Sequence, residues 1–171
     1  MKAWEEMKIE IQNLAGAHWE QVRQVYLEGL ATGQATFETQ APSWEKWDAA
    51  HLPFSRLVAL ADRAVKGWAA LSLVSTRSVY AGVAEVSVYV GQNCRGQGIG
   101  RTLLERLIQS SEENGIWTLQ ASIFPENEPS IVLFKACGFR EVGARERIGC
   151  LHGRWRTTSF LERRSQTVGI D

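Results

Sequence analysis

The sequence predicts a mixed α/β fold, with helices flanking a largely antiparallel sheet. Three observations predict it. Three β-rich runs, RLVALAD, KGWAALSLVS and VAEVSVYV (residues 56–62, 66–75 and 83–90), follow one another across short joints, as the strands of an antiparallel meander do. Apolar residues recur every third or fourth position around residues 19–30 and 103–108, the period of a helix with one buried face. From residue 83 onward strand-like and helix-like segments alternate, so the predicted order along the chain is β-α-α-β-β-β-α-β-α-β-β.

Each element has its own signal. IEIQNL (residues 9–14) alternates and reads as a strand. Trp19, Val22, Tyr26 and Leu30 share a helix face, and Gly33 can help end that helix. Ser43 is placed to cap a short helix in SWEKWDAAH. Leu103, Leu104, Leu107 and Ile108 line one side of a helix that starts near Gly100 and stops at Asn114-Gly115. IWTLQASIF (residues 116–124) is a strand. In ENEPSIVLFKACGF, Asn127 opens a helix whose first turn tolerates Pro129, and Gly138 stops it. Residues 139–164 hold two further β-like pieces.

A chain of 171 residues suits one domain with a proper core, taken as residues 1–171. Nineteen basic residues against 19 acidic ones leave no net charge to draw it to nucleic acid or an anionic membrane. Cys94, Cys137 and Cys150 fit neither a disulfide framework nor a paired-cysteine metal site, so no metal is expected. The charged start MKAWEEMKIEIQ does not read as a signal peptide, and no later run has the length of a membrane span; the expected location is cytoplasmic. The seven tryptophans lack an interleaved basic stripe, and packing accounts for most of them.

The chemistry concentrates at Arg95, Gly96, Gln97, Gly98, Ile99, Gly100 and Arg101, between a strand ending at Val90 and the helix that follows. Glycines let the backbone approach a ligand closely, and the first amides of a helix have no intrahelical acceptor. With the helix dipole and two arginines, the natural guest is a pyrophosphate. A Walker A loop would need Gly-Lys-Ser/Thr, which is absent. A dinucleotide fingerprint would need Gly-x-Gly-x-x-Gly in a first βαβ unit, and here the spacing is Gly-x-Gly-x-Gly in mid-chain. A glycine-rich turn without a ligand is the plain alternative.

Strand alternation puts Glu85, Ser87 and Tyr89 on one face and Val86, Val88 and Val90 on the other. A carboxylate at the edge of a partly dry cleft is a capable base near neutral pH; in a solvated strand it is only a surface charge. Arg77 carries a planar fork suited to a carboxylate, or is a solvated loop residue.

These strings together resemble a known family. RGQGIG after a Val-Tyr-Val strand looks like the acetyl-CoA pyrophosphate loop of the GNAT superfamily of N-acetyltransferases. ATFET (residues 35–39), Arg77 with Tyr80, EVSVYV, NEPS (residues 127–130), CGFREVG and HGRW (residues 152–155) are similar to its phosphinothricin and methionine sulfoximine acetyltransferases, over about residues 8–163. The resemblance implies the GNAT acyltransferase fold and direct attack of a substrate amine on the acetyl thioester of acetyl-CoA. The acceptor would be a small glutamate-like L-amino acid such as phosphinothricin, methionine sulfoximine or arsinothricin, whose acetylation confers resistance. Glu85 is then the general base, and a backbone N–H at Val88 or its neighbours serves the oxyanion. Val88, Tyr89, Val90, the loop from Arg95 to Arg101, Asn127, Ser130 and Phe134 hold the cofactor. Thr36, Phe37, Arg77, Ser78, Tyr80, Glu85 and Val86 form the substrate pocket. His152 and Arg154 line its far side, from a partner subunit in the homodimer that the family forms.

Two departures stand out. Phe134 occupies a position where family members carry a tyrosine or histidine proton donor, so the thiolate leaves unprotonated or a water or Tyr89 supplies the proton. HGRW is followed by Arg-Thr-Thr, where the family usually has an aspartate two residues after the tryptophan. The alternatives to an amino-acid acetyltransferase are a GNAT enzyme for another small amine, which Arg77 opposes if that amine is a polycation, and a non-catalytic coenzyme A-binding module.

Overall fold

A computed structural model describes residues 8–170. The reading of the first residues as unlike a signal peptide rests mainly on residues 1–7, which with Trp4 lie outside that range. The elements run β1 (Glu10–Asn13), α1 (Trp19–Ala31), α2 (Trp44–Ala50), β2 (Leu57–Ala61), β3 (Ala64–Leu73), β4 (Val83–Val90), α3 (Ile99–Glu113), β5 (Thr118–Ile123), α4 (Glu128–Ala136), β6 (Arg140–Leu151) and β7 (Arg154–Arg164). That is the predicted order. Single 3-10 turns at Gly16–His18, Ser78–Tyr80 and Gln92–Cys94 are additional.

The boundaries differ where turn chemistry was hard to read. The run taken to start β3 at Lys66 begins at Ala64, because Asp62 and Arg63 both take positive φ (51° and 63°) and close a two-residue hairpin without glycine. The last hairpin turns the same way through His152 (φ 49°) and Gly153 (φ 75°). Ser43 caps α2 as expected, its hydroxyl accepting from the Lys46 amide at 3.4 Å.

Seven strands form one sheet in the order β1-β2-β3-β4-β5-β7-β6, antiparallel throughout except for β4 and β5. Side-chain alternation divides the core. Ala69, Leu71, Ala84 and Val86 face α3, whose Leu103, Leu104 and Leu107 are fully buried. Trp68 and Ala70 face the other way, onto Val22, Val25 and Tyr26 of α1 and Trp47 of α2. The interior tryptophans are thus packing residues: Trp19, Trp44, Trp47 and Trp68 form one aromatic cluster.

One feature of the pairing places the site. The parallel ladder between β4 and β5 covers Val83↔Thr118, Ala84↔Leu119 and Glu85↔Gln120, then stops. Beyond it β4 stays with β3 as far as Gly67↔Val90, while β5 stays with β7 as far as Ile123↔Ser159. The sheet splits down its middle, and residues 86–90 present a strand edge without a strand partner to the gap.

Candidate active site

The glycine turn closes the wide end of the gap. The Gly91 amide donates to the Lys66 carbonyl at 2.8 Å, and Glu28 of α1 accepts from the Gln92 amide at 2.6 Å, so both neighbouring layers fix the entry to the loop. Gly98 is the N-cap of α3 in the left-handed region (φ 81°), with no side chain capping the helix. A Cβ at Gly98 would meet nothing within 4 Å, so glycine is required there by backbone conformation and not by crowding. The first turn of α3 holds no acidic residue, which leaves its free amides and the positive end of the helix dipole unopposed.

These amides face a cleft of about 520 Å³ lined by Val88, Tyr89, Val90, Arg95, Gly96, Gly98, Ile99, Gly100 and Arg101, and across from them by Asn127, Pro129, Ser130 and Leu133. Gln97 alone of the loop does not line it; its amide turns back to the Asn93 carbonyl at 3.1 Å. Asn127 caps α4 by accepting from the Ser130 amide, as its position before Pro129 predicts.

A second cavity, about 210 Å³, lies deeper in the split and shares Ala35, Val88, Tyr89, Asn127 and Ser130 with the first. It collects Thr36, Phe37, Glu85, Val86 and Phe134, all named from the sequence, and Glu85 is the one charged residue on its wall. Glu85 is held in place: Gln120, its partner in the last parallel rung, donates to Oε2 at 3.0 Å. Phe134 is 4% exposed and packs edge-on against Phe139 at 4.9 Å.

A third cavity of about 420 Å³ opens on the α1–α2 face, sharing Thr36, Ser87 and Tyr89 with the second. Tyr89 therefore borders all three spaces. Its ring stacks on Trp68, its register partner, at 4.8 Å, and rests against Gly29, where a Cβ would come within 2.7 Å of the ring. Burial pushes the Tyr89 phenol well above its ordinary value, and the neighbouring Tyr26, raised by its own burial, adds to this. His51, stacked on Trp47 in the same chamber, is pushed down by burial.

Arg77, Ser78 and Tyr80 are not brought to these cavities. They form the exposed turn before β4, where the Arg77 guanidinium lies 5.4 Å from the Tyr80 ring centroid. His152 and Arg154 sit at the tip of the β6–β7 hairpin and likewise line none of them. Sequence reasoning missed Gln120, Phe124 and Thr158. They come from strands β5 and β7 and the residue after β5, and no local motif marks them; only the register does.

A sequence model of the acetyltransferase (GNAT) family matches residues 19–139. The chain belongs to that family. This GNAT chain is 36% identical over 148 residues to a phosphinothricin N-acetyltransferase of Alcaligenes faecalis, an alignment covering 81% of this chain and 74% of the relative. It is 35% identical over 83 residues, 48% of each chain, to an L-methionine sulfoximine/L-methionine sulfone acetyltransferase of Pseudomonas aeruginosa. Among solved structures, a GNAT phosphinothricin acetyltransferase from Sinorhizobium meliloti in complex with AcCoA superposes with a TM-score of 0.83 at 28% identity, covering 96% of this chain and 97% of that one. These comparisons bear out the resemblance read from RGQGIG, NEPS and EVSVYV, and the GNAT fold with it.

Proposed function

We propose that this acetyltransferase moves the acetyl group of acetyl-CoA to the α-amino group of a small glutamate-like L-amino acid of the phosphinothricin and methionine sulfoximine class, arsinothricin included. The observation that carries the reading is the junction of the two cavities: a carboxylate held at the last rung of the β4–β5 ladder faces a space continuous with the cleft under an uncapped, glycine-led helix.

The residues fit the carrier. The free amides of α3 with Arg95 and Arg101 suit its diphosphate, and the unpaired edge of β4 beyond Glu85 suits its amide-bearing arm. Gly100, where a Cβ would come 3.1 Å from Leu133, lets α3 and α4 close on each other at the cleft wall. When bound, acetyl-CoA supplies an activated acyl carbon. Glu85 takes the proton that an α-ammonium group must lose before its nitrogen can attack, directly or through one water. A β4 amide at or near Val88 stabilises the negative charge that develops on the acyl oxygen. Phe134 has no proton to give, so this chain supplies no side-chain acid at that position.

Arg77, expected from the sequence to hold the acceptor carboxylate, lies on an exposed turn outside the three cavities, so the reading gives it no contact with the acceptor within one chain. The reading extends to a homodimer through the β6–β7 hairpin, which exposes Val142, Ile148 and Trp155 (48%, 55% and 66%). In a cell, acetylation would remove the ammonium charge by which such compounds imitate glutamate, and so protect a cytoplasmic target.

A thiol-release assay with acetyl-CoA against a panel of amino acids, polyamines and N-terminal peptides tests this. The expected result is turnover with phosphinothricin or methionine sulfoximine and none with polyamines. Preference for a polyamine or a peptide amine would overturn it.

A further inference from the structure

The segment joining α1 to α2 forms a wall of both the cofactor cleft, through Thr32, Gln34 and Ala35, and the transfer cavity, through Ala35, Thr36 and Phe37. Its central residues have no place in a helix or strand, and Gly33 turns the chain through the left-handed region (φ 63°). Something outside the segment must therefore hold it.

That role falls largely to one side chain of β7. Arg156 donates to the Gly33 carbonyl and to Gln34 Oε1, both at 3.1 Å, and to Glu126 Oε2 at 3.3 Å. Its guanidinium lies 4.0 Å from the ring centroid of Phe124, and Phe124 in turn meets Phe37 edge-on at 4.9 Å. The Arg156 side chain is 17% exposed, so the two bonds to the segment and the stacking are shielded, whereas Glu126 at 59% is an open partner of little weight. The residue facing Arg156 across the hairpin is Gly149. A Cβ there would come 2.7 Å from the Phe37 ring, so only glycine leaves room for Phe37. One rung of the hairpin thus fixes the segment twice, by an arginine fork on residues 33 and 34 and by an empty position under residue 37. Gln34 has a separate tether on the cofactor side, where Asn127 Nδ2 donates to its carbonyl at 3.2 Å.

We propose that Arg156, with its rung partner Gly149, is a positioning residue for the acetyl acceptor: it sets Thr36 and Phe37 against the transfer cavity and does not itself touch acetyl-CoA. The inference rests on reading that cavity as the place of transfer. Because Asn127 still anchors Gln34 when Arg156 is changed, the cofactor side of the segment keeps its place.

Steady-state kinetics of the full chain test this with three variants. Arg156→Ala is expected to raise KM for the amino acid by about tenfold or more, as displacing a wall by a fraction of an ångström does, with KM for acetyl-CoA within about twofold of wild type. Arg156→Lys keeps the charge and loses the fork, so it should recover only part of the loss. Gly149→Ala, which leaves Arg156 intact and pushes on Phe37, should give the same split between the two Michaelis constants. Equal increases in both constants for Arg156→Lys and Gly149→Ala, or no increase in either, would overturn the inference. Failure of the underlying reading is distinguishable: it would appear as a wild-type protein that binds acetyl-CoA and acetylates no amino acid.

Discussion

Glu85 and Gln120 face each other at the last rung where β4 and β5 are still paired, and the amide of one donates to the carboxylate of the other at 3.0 Å. One step further on there is no ladder, only the gap that the substrates would fill. The proposed base is therefore anchored on the paired side of the split and borders the cavity on the open side, which is what a proton acceptor needs to act without moving.

The pair makes a graded prediction. Glu85→Gln should lower kcat by about 10² to 10⁴ with acetyl-CoA binding retained, and the loss should shrink as pH rises and the free amine becomes more abundant. Gln120→Leu removes only the orienting bond, worth about 1 kcal/mol, so kcat should fall about fivefold. Stopped-time assays over pH 6–9, a range chosen to span about the histidine and amine pKa values, check both; unchanged turnover in Glu85→Gln would remove it from the chemistry.

The glycine loop predicts a different signature. Gly98→Ala finds open space for its methyl group, so the cost is that of the left-handed backbone alone, about 1–2 kcal/mol. The loop relaxes away from the anion site, and the dissociation constant for coenzyme A, measured by calorimetry, should rise about tenfold. KM for the amino acid should stay near wild type. A lower melting temperature with unaltered affinity would mean that the loop is structural.

Most of the frame could be read from the residues, because each element carries its own signal: Ser43 and Asn127 cap helices, leucines at 103, 104 and 107 mark a face, and glycines at 96 and 98 mark the turn. What escaped was pairing between distant strands. Gln120 meets Glu85 only because β5 lies parallel to β4, and Arg156 meets Gly33 only because β7 lies beside β5; each contact joins residues 35 or more apart in sequence. Arg77 shows the converse. Its fork suited a carboxylate, but position on an exposed turn is decided by tertiary structure, and it lies outside the three cavities.

Tyr89 borders all three cavities, two of them together with Thr36, and its ring meets Tyr26 edge-on at 4.9 Å. Burial keeps the phenol protonated through the neutral range, so it lines the cavities as a neutral group and not as a base. Tyr89→Phe should keep the ring stacked on Trp68 and remove the hydroxyl from the cavity wall. The expected outcome is a KM for the amino acid raised about fivefold with kcat within about twofold, the effect of removing one hydrogen-bonding group from the wall that the acceptor would meet. A large fall in kcat with KM unchanged would instead make Tyr89 a proton donor.

His51 supplies the pH dependence of stability. Its ring stacks on Trp47 at 4.1 Å, and its Nδ1 lies 2.6 Å from the Trp47 carbonyl, which can only accept. Burial lowers its pKa, and the Arg56 guanidinium acts in the same direction against the opposing carbonyl bond. A base whose folded pKa is depressed stabilises the fold fully above its unfolded value, about 6.5, and that contribution is lost as pH falls through the folded value, because the unfolded chain takes up the proton first. The melting temperature of the wild type should therefore decline from about pH 7 to pH 5, in the window set by that unfolded value. His51→Phe keeps an aromatic ring on Trp47 and removes the titration, so its melting temperature should vary less over the same range. Parallel declines in the two proteins would show that the acid sensitivity arises elsewhere, for example at Glu112, whose carboxyl is held low by bonds from Arg163 and Ser165 that outweigh its partial burial.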